Sequence, residues 1–198
     1  MRHLIVEGPD GGGKTRLIEA LMARYPLTQH EKASTSLRGP IRNLAAWVTD
    51  DIAKMDHFEA VNVYDRHPVI SEPIYGRIVR HNPQPGFTTT RFGMPDNSPW
   101  LSTQRLALYQ RTMVIWCIPT LEQCRSAVDP SRDMPGVVEN IEEIYDWYRN
   151  AMASWGGPSI RYNLNIYPRE VQEDGLFAGA VKFLDLNDYR IQECLSGS

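Results

Sequence analysis

Gly8, Gly13, Lys14 and Thr15 occupy every fixed position of the pattern G-x-x-x-x-G-K-[ST], with Asp10, Gly11 and Gly12 between them. The chemistry of that spacing is phosphate binding. Glycines let the backbone curl until several N–H groups point at one phosphate, and a helix start adds its own unpaired donors. Lys14 would reach the outer phosphates and Thr15 would hold magnesium. Five further charged residues could complete such a site. Asp65-Arg66 follows the apolar run Ala60 to Tyr64. A carboxylate there can order magnesium and its waters, and an arginine can neutralise charge on transferring oxygens; alternatively the two pair with each other at the surface. Arg125 and Arg132 flank a breaker-containing stretch, where they could close over phosphate as a lid or form surface pairs with Asp129 and Asp133. Glu31 follows the short strand expected at Leu27 to His30; it reads as a general base, a water-mediated magnesium ligand or a solvated loop acid.

The elements that must position these groups alternate along the chain. Leu4 to Val6 is a short strand, and Thr15 to Arg24 is a helix with Leu17, Ile18 and Leu21 turned inward. That context separates the glycine pattern from an ordinary glycine-rich turn. Leu27 to His30 makes a second short strand, and Pro40 to Met55 a helix with Ile41, Leu44, Ala45, Val48 and Ile52 on one side. Ala60 to Tyr64 is the next strand. Pro68 to Tyr75 follows, with Ser71 and Tyr75 one turn apart and Pro73 able to kink or shorten the helix. They suit the rim of an acceptor pocket, or Tyr75 is a core tyrosine. Ser102 to Gln110 is helical. Met113 to Ile118 is a continuous apolar strand of the kind buried on both faces, with Cys117 as core filler. Leu121 to Ala127 starts a helix. Val137, Ile141, Ile144, Tyr145, Tyr148 and Met152 mark an amphipathic one. Ile160 to Tyr167 is the last strand, turned away by Pro168, and Ala178 to Leu184 a C-terminal helix.

Residues 76–99 are irregular. Arg77, Arg80, His81 and Arg91 there face only one acid, Asp96. A structureless segment of that length usually binds something or moves. It reads as a basic flap touching phosphates, with Phe87, Phe92 or Trp100 stacking on a ligand or pinning the loop to the domain, or as an ordinary solvated loop.

With 42% hydrophobic and 23% charged residues among 198, the chain suits one globular α/β domain spanning 1–198, with the flap at 76–99 and a lid at 125–135. A net charge of −3 does not advertise a general nucleic-acid surface. Three cysteines without paired metal spacing argue against a disulfide framework. No apolar run approaches membrane-spanning length, so no membrane partner is expected. The first residues enter a strand at once and leave no room for a signal peptide. The expected setting is a reducing cytoplasm, a host's if the chain is phage-encoded.

The pattern resembles the thymidylate kinase family and its nucleoside and deoxynucleotide kinase relatives, especially their phage members. The resemblance rests on Glu7-Gly8-x-Asp10-Gly11-x-Gly13-Lys14-Thr15, on Asp65-Arg66, on Ser71 and Tyr75, and on Arg125 and Arg132 at the lid. It implies a three-layer α/β fold, a five-stranded parallel sheet flanked by helices with a small lid. It also implies ATP with Mg2+ as donor, Lys14, Arg66 and the lid arginines on the transferred group, and Thr15 and Asp65 at the metal. The acceptor it implies is a pyrimidine deoxynucleotide across the sheet's C-terminal edge, and it leaves a homodimer open. Two departures bear on the acceptor. Glu31-Lys32-Ala33-Ser34 stands where cellular thymidylate kinases carry a Glu-Pro-Gly-Gly-like stretch, and the acid at this place is the general base in the nucleoside kinase relatives. The long flap suits an acceptor with more backbone than one nucleotide. Phage relatives that phosphorylate the hydroxymethyl group of 5-hydroxymethyluracil within DNA are the subgroup this chain resembles on both counts. A dTMP-like monophosphate acceptor is the alternative.

Overall fold

The computed structural model describes residues 2–25, 27–30, 43–79, 92, 97–162, 175, 178–180 and 182–183. Glu31, Ile41, most of the 76–99 flap, and the stretch from 163 through Pro168 lie outside the described residues.

Five parallel strands form one sheet in the order β2-β3-β1-β4-β5. They are β1 (His3–Glu7), β2 (Thr28–Gln29), β3 (Asn62–Asp65), β4 (Thr112–Cys117) and β5 (Ser159–Tyr162). The central strand β1 pairs Leu4 with Val63 on one side and Leu4 with Met113 on the other. Every residue of β1 and β4 is buried, as a strand with helices on both faces requires. The helices are α1 (Lys14–Arg24), α2 (Leu44–Lys54), α3 (Pro68–Ile78), α4 (Pro99–Arg111), α5 (Leu121–Ala127) and α6 (Ile141–Ser154).

Alternation along the strands divides the core into two layers. Ile5, Tyr64, Val114 and Trp116 face α2, α3, α4 and α6, whereas Leu4, Val6, Val63 and Ile115 face α1 and the helical residues Ala180 and Phe183. The expected three-layer α/β architecture is the observed one. The inward stripe of α1 is the expected Leu17, Ile18 and Leu21.

Local chemistry sets the helix starts. Asn43, Ser98 and Thr120 each accept a hydrogen bond from a backbone N–H in the first turn. Thr120 and Gln123 form a reciprocal capping box. Pro68 opens α3 at a position where its missing N–H costs nothing, and α3 runs on through Pro73 to Ile78. Pro73 therefore neither ends nor shortens the helix; burial of Val69, Ile70, Ile74 and Tyr75 against the sheet outweighs one lost backbone bond. Among the described residues no helix is long and apolar enough to cross a membrane.

Candidate active site at the carboxyl edge of the sheet

The path leaving β1 turns through α1 toward β2 on one face. The path leaving β3 crosses the other face to β4 on the far side of β1. Loops that part in opposite directions open a crevice at the strand ends, where open α/β sheets bind ligands. The glycine loop after β1 and Asp65-Arg66 at the end of β3 are the two lips of that crevice.

The loop is tightly built. Gly8, Gly11 and Gly13 have φ of +151°, +73° and +80°, conformations that glycine enters without a Cβ penalty. Gly12 donates to the Pro9 carbonyl at 3.2 Å. A Cβ on Gly8 would sit 2.2 Å from the Cys117 carbonyl oxygen, and one on Gly11 would sit 2.7 Å from the Ala127 side chain. The loop is thus wedged against the end of β4 and against α5. Gly13 precedes α1 with no side-chain cap, so the first N–H groups of α1 are not taken by a capping residue, as an anion cradle requires. Lys14 is buried, and its ammonium donates to the Pro9 carbonyl at 2.6 Å. Burial, helped by Arg66, lowers its pKa to about 8 against the pull of Asp10 and Asp65.

Arg66 binds the glycine loop and does not stand free at the surface. Its backbone stands at φ +68°, the one non-glycine residue with positive φ among those described. Its N–H still donates to the Val6 carbonyl at 3.0 Å. The turn aims the guanidinium back over β1. Nη2 reaches Asp10 Oδ1 at 2.8 Å, the Gly8 carbonyl at 3.2 Å and the Tyr75 hydroxyl oxygen at 2.7 Å. The Tyr75 O–H donates to Asp10 Oδ2 at 2.5 Å. Burial alone would raise the Asp10 pKa; the charges of Arg66 and Lys14 outweigh it and bring it to about 2. Asp10, Arg66 and Tyr75 therefore form one closed set joining the glycine loop to β3 and α3. Tyr75 is the buried tyrosine of the two sequence alternatives, and it also touches the loop. Tyr75→Phe removes one bond to each charged partner and is expected to lower stability by about 1–3 kcal/mol, measured by urea denaturation.

Glu7 carries a role that sequence spacing does not show. It is fully buried beneath the loop; Oε1 accepts the His67 backbone N–H at 2.7 Å and Oε2 pairs with the Tyr148 hydroxyl at 3.1 Å. It thereby ties β1 to the start of α3 and to α6. Burial raises its pKa from 4.5 to about 7, against the lowering effects of the His67 N–H, Arg66, Lys14 and Tyr148. The folded chain holds this proton more tightly than the unfolded one. Its stabilising contribution is complete below pH 4.5 and is lost as pH rises through about 7. Glu7→Gln is expected to remove that decline, a loss of about 2–3 kcal/mol between pH 5 and pH 8 in the parent, read from denaturation curves of both proteins at the two pH values.

Thr15 is exposed at the first turn of α1 and Asp65 half-buried at the end of β3, and the charge of Asp65 is felt at Lys14. A hydroxyl and a carboxylate are hard oxygen donors, the set that holds Mg2+ together with substrate phosphates. These residues fit the ion. Among the described residues no cluster of three or more His, Cys, Asp or Glu could hold a metal alone.

The lid arginines lie on the surface. Arg125 on α5 is ion-paired with Glu142 on α6. Arg132 donates to the Ala127 carbonyl at 2.8 Å and lies 3.9 Å from Asp133. The Asp129 carboxylate accepts from Ser131 instead. Ser71 returns its hydroxyl to the His67 carbonyl at 3.2 Å. Phe92 is buried, with its ring 5.0 Å from that of Trp100, whose indole N–H donates to Thr49. Those two aromatics pin the flap's end to α2; Phe87 lies outside the described residues, as does Glu31.

No protein-family model matches the chain, and no curated protein matches it. Solved structures do. The YorR protein of Bacillus subtilis, in complex with phosphorylated GDP, superposes with a TM-score of 0.60 at 16% identity over 91% of this chain and 96% of its own. Deoxyadenosine kinase from M. mycoides with bound dATP gives 0.56 at 10% identity over 90% and 98%. The same kinase with dCMP and dCDP gives 0.54 at 10% identity over 91% and 99%. At these identities the likeness is one of architecture: the chain shares the three-layer α/β fold of these structures, a five-stranded parallel sheet flanked by helices.

Proposed function

We propose that the chain is an ATP-dependent kinase acting on a pyrimidine deoxynucleotide. The observation that carries this reading is the convergence of Lys14, Asp10, Arg66 and Tyr75 on one crevice at the sheet's carboxyl edge. ATP with Mg2+ would supply the activated γ-phosphoryl group, with Thr15 and Asp65 toward the metal. An acceptor oxygen forms a bond to phosphorus as the bond to the β–γ bridging oxygen breaks. Lys14 and Arg66 follow the charge that spreads over the transferring oxygens. Arg66 is preset for this part because Asp10 and Tyr75 fix its direction. Arg125 and Arg132 would join when the segment after α5 closes, with Arg125 exchanging Glu142 for phosphate. The bound nucleotides of the two structural neighbours support a nucleotide acceptor.

For the acceptor group, the reading we favour is the hydroxymethyl of 5-hydroxymethyluracil within phage DNA. Glu31-Lys32-Ala33-Ser34 keeps an acid suited to a hydroxyl, and the basic residues of 76–99 suit a polymer backbone. A dTMP-like monophosphate, yielding the diphosphate, is the alternative, favoured by the net charge of −3. The test is transfer of label from γ-labelled ATP to dTMP, to free 5-hydroxymethyl-dUMP, and to DNA containing 5-hydroxymethyluracil. Label confined to the modified polymer is the expected result. Label confined to dTMP and the free nucleotide replaces it with the alternative. Bound ATP with no transfer to any of them removes the kinase reading.

A further inference from the structure

The side chains of His30, Asp51 and His67 form a polar cluster beside β2 that is separate from the Asp10–Arg66–Tyr75 set. Asp51 interrupts the apolar inner stripe of α2, between Val48 and Ile52. Its carboxylate is 5% exposed and its Oδ1 lies 2.8 Å from His30 Nε2. The Tyr64 hydroxyl is 3.5 Å from the same oxygen, and His67 Nε2 is 3.5 Å from Oδ2. His67 Nδ1 accepts the Val69 backbone N–H at 3.3 Å, so neutral His67 carries its proton on Nε2, facing Asp51. That last pair is too poorly placed for a hydrogen bond: Asp51 Oδ2 and His67 Nε2 are both buried without a partner. The short bond from His30 is therefore the principal support of the carboxylate. Burial would raise the Asp51 pKa, but the two histidines outweigh it and lower it to about 2, so the carboxylate is ionised and only accepts.

The tautomer of His30 follows. In its neutral form the ring carries its proton on Nε2, toward Asp51, and keeps a lone pair on Nδ1. No hydrogen bond to Nδ1 is present among the described residues. His30 is also the opening of the cluster, with 18% of its side chain exposed, whereas Asp51 and His67 are closed off. The rings of Tyr64, Phe58 and Trp47 stand 4.3, 5.5 and 6.1 Å from it. It extends β2 at the carboxyl edge by donating its N–H to the Val63 carbonyl. β2 is two strand spacings from β1, about 10 Å. That places His30 on the same carboxyl edge as the glycine loop but about two strands away from it.

We propose that His30 is a specificity-determining residue whose Nδ1 accepts a hydrogen bond from the imide N3–H of a uracil- or thymine-type base. Cytosine presents a lone pair at the same ring position, so it would set lone pair against lone pair. The inference rests on the proposed pyrimidine acceptor but not on phosphoryl transfer, so binding tests it independently.

The experiment measures calorimetric binding of thymidine and of N3-methylthymidine to the whole chain in the presence of ADP. The parent is expected to prefer thymidine by about tenfold or more, the value of one buried hydrogen bond that the analogue cannot make. His30→Phe keeps an aromatic ring without the lone pair and is expected to lose the preference. Asp51→Asn frees the tautomer and is expected to weaken it. The ring 15N resonances of His30 in the unmodified protein give a measurement that needs no variant; thymidine, and not its methyl analogue, is expected to shift Nδ1. Equal binding of the two ligands to the parent, an unmoved Nδ1 resonance, or an undiminished preference in His30→Phe would each overturn the assignment. Absence of phosphoryl transfer with that preference intact would remove the kinase reading and leave His30 as a base-reading residue.

Discussion

Lys14→Met is expected to leave the sheet folded and to lower phosphoryl transfer by about 10²–10³-fold or more, the loss typical of one preorganised donor to developing negative charge. The ammonium is buried and donates to the Pro9 carbonyl at 2.6 Å, so it is held beside the loop before nucleotide arrives. Methionine keeps the length and apolar stem but removes one of two hydrogen bonds to that carbonyl, which retains the Gly12 N–H, at a cost of about 1 kcal/mol. A companion effect is visible without turnover. Burial and Arg66 lower the Lys14 pKa to about 8 in the free protein, and nucleotide phosphates beside it would raise it. Binding then favours the protonated form. Nucleotide affinity is expected to hold below pH 8 and fall above it, with uptake of up to one proton on binding at alkaline pH. Calorimetry in two buffers of different ionisation enthalpy reads that proton directly. Lys14→Met should remove the uptake; an unchanged uptake would assign it to another group.

Gly8→Ala is expected to disrupt the loop and to destabilise the protein by about 3–6 kcal/mol, combining backbone strain with overpacking. Two independent obstacles act at this position. The φ of +151° is one that side chains rarely adopt, and the added methyl would lie 2.2 Å from the Cys117 carbonyl oxygen. That oxygen is backbone at the end of β4, so it cannot rotate away as a side chain could. The loss is a large share of a typical domain's stability. Gly12→Ala meets the same carbonyl at 2.8 Å without a positive φ, and should cost less. Gly175 has nothing within 4 Å of an added Cβ, so Gly175→Ala serves as the near-neutral control. Thermal melting of the three variants checks the order; a Gly8→Ala protein that melts with the Gly175→Ala control would refute the wedge against β4.

The parts of the molecule whose physics is local are legible along the chain. A strand, a glycine turn and a helix start in immediate succession define the phosphate loop, because each needs only its own backbone and its neighbours. The apolar run in β4 and the 3.6-residue repeat in α6 announced buried elements for the same reason. Pro73 was ambiguous because its local cost is fixed, while the offsetting burial of Ile70, Ile74 and Tyr75 depends on the sheet beneath. The partners depend on how the packed elements meet. Arg66 binds Asp10, 56 residues away, because a left-handed backbone turn redirects it. Tyr75 was legible as either rim or core and is a core residue whose hydroxyl reaches the loop. Glu7 and Asp51 gave little sequence signal as functional candidates, since a buried carboxylate is recognisable only by what surrounds it. Their partners, Tyr148, His67 and His30, come from distant elements. Spacing along the chain predicts which groups can form a site; which charges are desolvated, and against whom, is decided when the sheet brings β1, β2 and β3 side by side.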